Sequence, residues 1–577
     1  MRTQKRGRSA VRSPILSDSL RVLIFTLGVA TLAPGATRNP DFAHDIAPII
    51  YERCVSCHHQ GGAGPFPLIT YRDVKKHARQ IAAVTARRYM PPWLPEPSYS
   101  DFQDDPRLTS EQIRLISDWV KAGAPEGPAS AAPPPPVFSS EWQLGTPDLI
   151  LTAAAPFTVP ASGPDLFWNF ILDPKLSSTR YVRAIEILPG RDKLIHHANV
   201  LIDRAGTLRN KGAGFAGMDF NIDRNPFDPE SHFLFWKPGS APYSEPDGMA
   251  WRLDPGNLLV LNTHLQPDGK REVLQPQVGL YFTNKPPVRF PILAQLEHDG
   301  ALDIPAGDRD FAVSDHLTLP VDCHVLAIYP HAHYLGKRIE AFAAKPDGMR
   351  IWLIRISHWD LNWQAVYRYR KPVFLPKGTV ISMRIDYDNS AQNPRNPNHP
   401  PKHVRAGNQS TDEMGHVWLQ LLPRTRGNRR EIEEAIVRRR LEKYPRDFSA
   451  HLNMGALLLS KLDAQGAVVM LRQAILIDNS RPEAHDMLGS ALESLGRFAE
   501  AIEQYRIALA RDPQYWDARY NLAKALAKSG ELSGALENFR QVIAAYPDNK
   551  RLRQEYEALL AHSRQAREPA GRVLESK

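Results

Sequence analysis

Cysteine is almost absent: three residues in 577, Cys54, Cys57 and Cys323. So few thiols exclude the disulfide-built scaffold of small secreted domains. Long apolar runs are missing too. The stretch VLIFTLGVATLA at 22–33 falls short of the roughly 20 residues a helix needs to cross a bilayer. No transmembrane span is therefore expected in the mature chain. Positive charge is formally +9, yet residues 1–36 hold six Arg or Lys against one Asp, which leaves +4 for the rest. The remaining basic runs, PRTRGNRR and RRR at 438–440, read as a solvated face at a domain joint, so no nucleic-acid partner is expected.

Residues 1–36 set Arg2, Lys5, Arg6, Arg8, Arg12 and Arg21 before or beside the apolar run, and small residues to Ala36 after it. That order reads as a secretory signal and predicts an exported, periplasmic or extracytoplasmic chain, with an uncleaved N-terminal anchor as the alternative. Proline, by contrast, is plentiful at 50 residues. It clusters in joints such as SAAPPPPV (130–137) and NPRNPNHPPKH (393–403), and with the length this divides the chain into several domains.

Two of the three cysteines stand in CVSCHH (54–59). In Cys-x-x-Cys-His, Cys54 and Cys57 can form thioethers to a haem while His58 ligates the iron. A thioredoxin-like pair would want a βαβ setting, and a zinc site a second Cys/His pair; neither is present. Helical patterns surround the motif: DFAHDIAPIIYERC, YRDVKKHARQIAAVTARR, and TSEQIRLISDWVKAG capped by Thr109. Met90, ahead of two prolines, is the candidate sixth iron ligand, against the plainer reading of a core methionine. Residues 40–127 thus resemble a c-type cytochrome, a small all-α domain with one covalent haem as electron carrier.

From about 140 to 425 short β-rich segments alternate with Pro/Gly/Asp turns, among them RYVRAIEIL, NLLVLNTHLQ, HVLAIYPHAH and TVISMRIDYD. Such spacing predicts β-sandwiches, and the length allows two. Histidines punctuate those strands: His196 and His197, His264, then His331 and His333, with Met414 beyond. Taken singly, each has an ordinary explanation in packing or loop hydrogen bonds. Taken together, they form one set of three imidazoles and one of two imidazoles with a thioether, both copper-compatible.

Those segments, together with HAHYLGK and the DEM approach to Met414, resemble the copper type II, ascorbate-dependent monooxygenases, the family of peptidylglycine α-hydroxylating monooxygenase and dopamine β-monooxygenase. The resemblance covers 140–425 and implies two jelly-roll-like sandwiches, 140–306 and 307–425, with two copper ions. By it, His196, His197 and His264 hold an electron-transfer copper, and His331, His333 and Met414 hold the copper that meets O2. There are departures. The middle region has only Cys323, so none of the family's disulfides can form within it. Tyr329 stands where peptide-hydroxylating members carry a carboxylate-gripping arginine, and His416 and Trp418 replace an Asn and a Tyr. A peptidyl-glycine substrate is not expected, and His416 is a candidate competing ligand or supporting donor.

Residues 447–548 repeat every 34 positions. Ala450, Ala484 and Ala518 align, as do Ala467, Ala501 and Ala535; Leu471, Tyr505 and Phe539 follow, and Pro513 and Pro547 close two units. This is the tetratricopeptide pattern, with flanking helices extending the α-solenoid to 430–566. Its groove predicts a protein partner; a packing prop for the β-domains is the alternative. The whole chain is therefore read as an exported monooxygenase hydroxylating a small-molecule C–H bond with O2, fed by ascorbate or another reductant and by its own haem. A non-catalytic haem/copper electron-transfer or sensing scaffold is the competing reading.

Overall fold

The computed structural model describes residues 38–138, 142–190, 193–204, 208, 212–217, 232–547 and 549–565. The expected signal segment lies outside them. Among the described residues no helix is long and apolar enough to cross a membrane.

The N-terminal unit is helical. A π-turn, Phe42–Ile46, runs into helix Ala47–Arg53, followed by Tyr71–Lys76, Ala78–Ala86 and Ser110–Lys121. Thr70 and Thr109 each close a capping box, satisfying amides that a helix start leaves open. The single helix expected across 71–88 is divided at His77. Phe42, Ile46, Ile50, Val74, Ile116 and Trp119 form the core of this unit.

Residues 93–103, expected to belong to the same unit, instead strap onto the second β-unit. Glu96 donates its amide to Arg355 O at 2.8 Å and Gln103 to Arg368 O at 2.7 Å. Ser100 Oγ donates to Leu353 O at 2.7 Å. Phe102 bridges to Tyr369 and is buried in that unit's core, so apolar burial outweighs chain continuity here.

The first β-unit packs two antiparallel sheets over one core that includes Phe170, Val182, Val200, Leu261 and Leu280. Strand Leu258–Leu265 is buried throughout, between Leu166–Leu172 and Ile195–Asp203. The second unit is also a pair of four-stranded sheets over a shared core. It begins at Ile292–Glu297, ahead of residue 307, because that strand pairs with Gly415–Pro423 from Ile292↔Leu421 to Glu297↔His416.

Three helix pairs follow, their first helices starting at 448, 482 and 516 and their second at 464, 498 and 532, with helix Lys550–Gln565 after them. The small residues of the repeat, Ala450, Ala467, Ala484, Ala501, Ala518 and Ala535, are all buried where helices meet. Ahead of them, helix Arg426–Lys443 is docked on the second β-unit through Ile432.

Candidate metal centres

Three histidines meet in the first sandwich. His264 pairs directly with His197 across adjacent strands. Successive strand residues point to opposite faces, so His196 would face away from His197. It does not, because the register shifts between His264 and Leu265 and leaves His196 as the extra residue of a bulge. The three ring centroids lie 5.0 to 5.3 Å apart, and one nitrogen from each lies within 4.8 Å of the others.

Several details fit a metal ion there. His196 Nδ1 and His197 Nδ1 are 3.2 Å apart; two nitrogens bound to one tetrahedral ion stand about 3.3 Å apart. His196 Nε2 is buried with no hydrogen-bond partner. His264 Nε2 donates to Asp165 Oδ2 at 2.8 Å, which leaves the Nδ1 lone pair for a ligand. Burial, helped by neighbouring histidines, holds His196 down to about 4 and His197 well below its ordinary range. Both are therefore uncharged at neutral pH, the form that ligates metal.

The second group straddles two strands of the second sandwich. Ala332 pairs with Gly415, so His333 and Met414 are the next residues on either side. Glu413 ties them together: its carboxylate accepts from the amides of His333, of Leu335 at 3.0 Å and of Met414 at 2.9 Å. Tyr387 donates to Met414 O at 2.9 Å. Burial pushes the Glu413 carboxyl up to about 8 despite those amides. The rings of His331 and His333 are 5.2 Å apart. His333 Nδ1 donates to Asp412 O at 3.1 Å, and His331 Nδ1 to Gln364 Oε1 at 2.9 Å, so each keeps Nε2 for a ligand. Burial again lowers both, His333 to about 4.

His416 pairs with His331 across the strands, its ring 6.2 Å away, and its Nε2 is engaged by Asp299 Oδ2 at 2.8 Å. It supports the group from outside. Tyr329 donates its hydroxyl to Gln364 Oε1 at 2.7 Å and sets its ring 5.3 Å from Phe235 of the first sandwich. Tyr329 thus packs the two sandwiches together. Gln364 Nε2 reaches His197 Nδ1 at 3.2 Å, so one amide touches a histidine of each group.

In the helical unit no disulfide joins Cys54 and Cys57, and burial pushes the Cys54 thiol up to about 12. His58 Nδ1 donates to Phe66 O at 2.9 Å, leaving Nε2 to face a ligand. Gly64 comes so close that a Cβ would stand 2.7 Å from His58 Nδ1. Gly239, in the first sandwich at φ +78°, lies where a Cβ would overlap the Cys57 sulfur. Lys237 is buried beside it and pushed down to about 8, its charge felt by both Cys57 and His196. The Cys-x-x-Cys-His motif therefore abuts the segment of the first sandwich that carries Lys237 and Gly239. Met90 is half-buried in the loop after Ala78–Ala86, and its neighbour Tyr89 meets Trp363 edge-on at 6.4 Å.

Asp165, Lys237, Gly239 and Gln364 did not emerge from the sequence reading. Their partners are distant in the chain and no motif spacing marks them.

The repeat family described as tetratricopeptide repeat matches residues 487–550. The tail is a tetratricopeptide array. No curated relative matches the chain. Among solved structures, the crystal structure of MamA is similar at 24% identity over 24% of this chain and 81% of that one, with a TM-score of 0.23. The TPR domain of Arabidopsis OM64 is similar at 18% identity over 20% of this chain and 95% of that one, with a TM-score of 0.20. Successive tetratricopeptide units are tied by Asn521 Nδ2 donating to Asp486 Oδ1 at 2.9 Å, a carboxyl that burial pushes up to about 6.

Proposed function

We propose that the chain is an exported copper-dependent monooxygenase that hydroxylates a C–H bond of a small molecule with O2. Its electrons come from an ascorbate-like donor and from a haem on Cys54, Cys57 and His58, with Met90 as the second axial ligand. The observation that carries this reading is convergence: five imidazoles gather into two groups, and the Gln364 side chain touches one histidine of each. Three imidazoles in one group, and two imidazoles with Met414 next to them in strand register in the other, match what copper accepts in both oxidation states. When bound, two copper ions supply one electron each while O2 delivers one oxygen atom to substrate and the other to water.

The chain's own residues prepare that chemistry. Asp165 orients His264, the Glu413 carboxyl holds the backbones of His333 and Met414, and burial keeps His197 and His331 unprotonated. Gly239 seats the cysteine motif against the first sandwich, and the Lys237 charge acts on both Cys57 and His196, which supports one-electron delivery from haem to copper. The tetratricopeptide array supplies the surface for a protein partner.

The test is metal analysis and oxygen uptake on the purified full chain. Two coppers and one haem per chain are expected, with reductant-driven oxygen uptake. His333→Ala should remove one copper and abolish uptake. A C54A/C57A variant should lose haem, keep both coppers and slow uptake from one-electron donors. Copper without oxygen uptake in any reductant would favour the electron-transfer or sensing scaffold.

A further inference from the structure

Gln364 is 2% exposed, yet it lies at the seam between the sandwiches and spends its amide on both histidine groups. It follows the short turn Leu361–Trp363, framed by Asp360, whose side chain accepts from Asn362 N at 3.0 Å. Its own amide donates to Leu361 O at 3.3 Å. In the structure the side-chain amide turns Oε1 toward Tyr329, whose hydroxyl donates to it at 2.7 Å.

That orientation has a chemical consequence. Oε1 can only accept, so His331 Nδ1 at 2.9 Å must carry a proton and its lone pair sits on Nε2. Nε2 of the glutamine can only donate, so His197 Nδ1 at 3.2 Å must be bare. One amide therefore selects opposite tautomers in the two groups. A buried leucine of similar size would pack the seam without any of these bonds, so packing alone does not call for an amide.

We propose that Gln364 is a positioning residue shared by the two centres, selecting the nitrogen each offers to metal and coupling the loading of one to the other. The coupling follows from the bond to His197. An ion taking the Nδ1 lone pair of His197 removes the acceptor from Gln364 Nε2, and the released amide re-seats against His331 and Tyr329. This rests on the copper reading above.

Stepwise Cu(I) affinities of the full chain, measured by chelator competition, test it. The wild-type chain should bind two ions with constants coupled by about 5–150-fold. Gln364→Leu, which keeps the packing and removes the amide without adding a metal donor, should bind two ions independently. Gln364→Glu, with acceptors on both sides, should force a proton onto His197 Nδ1 and weaken the three-histidine site at least tenfold while sparing the other. Two ions bound with constants unchanged in both variants would overturn the coupling and leave the copper reading standing. A wild-type chain that binds fewer than two ions would overturn the copper reading itself.

Discussion

Asp165 takes a hydrogen bond from His264 Nε2 at 2.8 Å. Burial pushes its carboxyl up, but that bond and the nearby imidazole outweigh it and hold the group below its ordinary range. An ionised acceptor there fixes the ring and raises the basicity of the opposite nitrogen. Asp165→Ala should weaken Cu(I) at the three-histidine site by about 10–100-fold, read by chelator competition, with the second site unchanged. Gly239 acts by absence. A side chain would meet the Cys57 sulfur, and φ +78° adds about 1–2 kcal/mol of strain for any L-residue. Gly239→Val should release the helical unit from the first sandwich, seen as faster hydrogen exchange across residues 54–66. Neither partner could be read from the sequence, because 99 residues part Asp165 from its histidine and far more part Gly239 from Cys57.

At the scale of elements, legibility followed periodicity. The 34-residue repeat, the β-rich segment TVISMRIDYD and the His331/His333 spacing are local, and each reappears in the fold. The bulge at His196 is not local in that sense. Strand period alone would send two consecutive histidines to opposite faces, and only pairing with Leu258–Leu265 reveals the extra residue. The strap 93–103 was hidden for a similar reason: proline-rich sequence reads as a loop of its own unit, yet Phe102 is 3% exposed within another unit's core. Phe102→Ala removes a buried aromatic and should destabilise the second sandwich by about 3–5 kcal/mol in urea unfolding. A loss under 1 kcal/mol would mean that the strap merely rests on the surface.

Across the whole molecule, the tetratricopeptide tail is fastened to the second sandwich by buried charge. Lys443 Nζ lies 2.9 Å from Glu297 Oε1 and 2.8 Å from Asp315 Oδ2, Arg439 also binds Asp315, and Tyr444 donates to Glu297 Oε2 at 2.7 Å. Asp299, which engages His416, donates its amide to the same Glu297 carboxylate at 3.0 Å. Burial pushes Glu297 up, but the Lys443 bond and charge, then Tyr444 and the Asp299 amide, outweigh it and take the carboxyl from 4.5 to about 2. A group so lowered binds fewer protons folded than unfolded. Its contribution is complete above 4.5 and is lost as pH falls through about 2. Removing one partner of such a pair leaves the other charge buried and unpaired, which costs about 3–5 kcal/mol. Lys443→Met should therefore lower the melting temperature of the full chain at neutral pH, with the gap from wild type narrowing only as the solution is acidified through that window. A gap that stays constant across it would show that apolar packing around Ile432, rather than the Glu297 carboxylate, holds the tail in place.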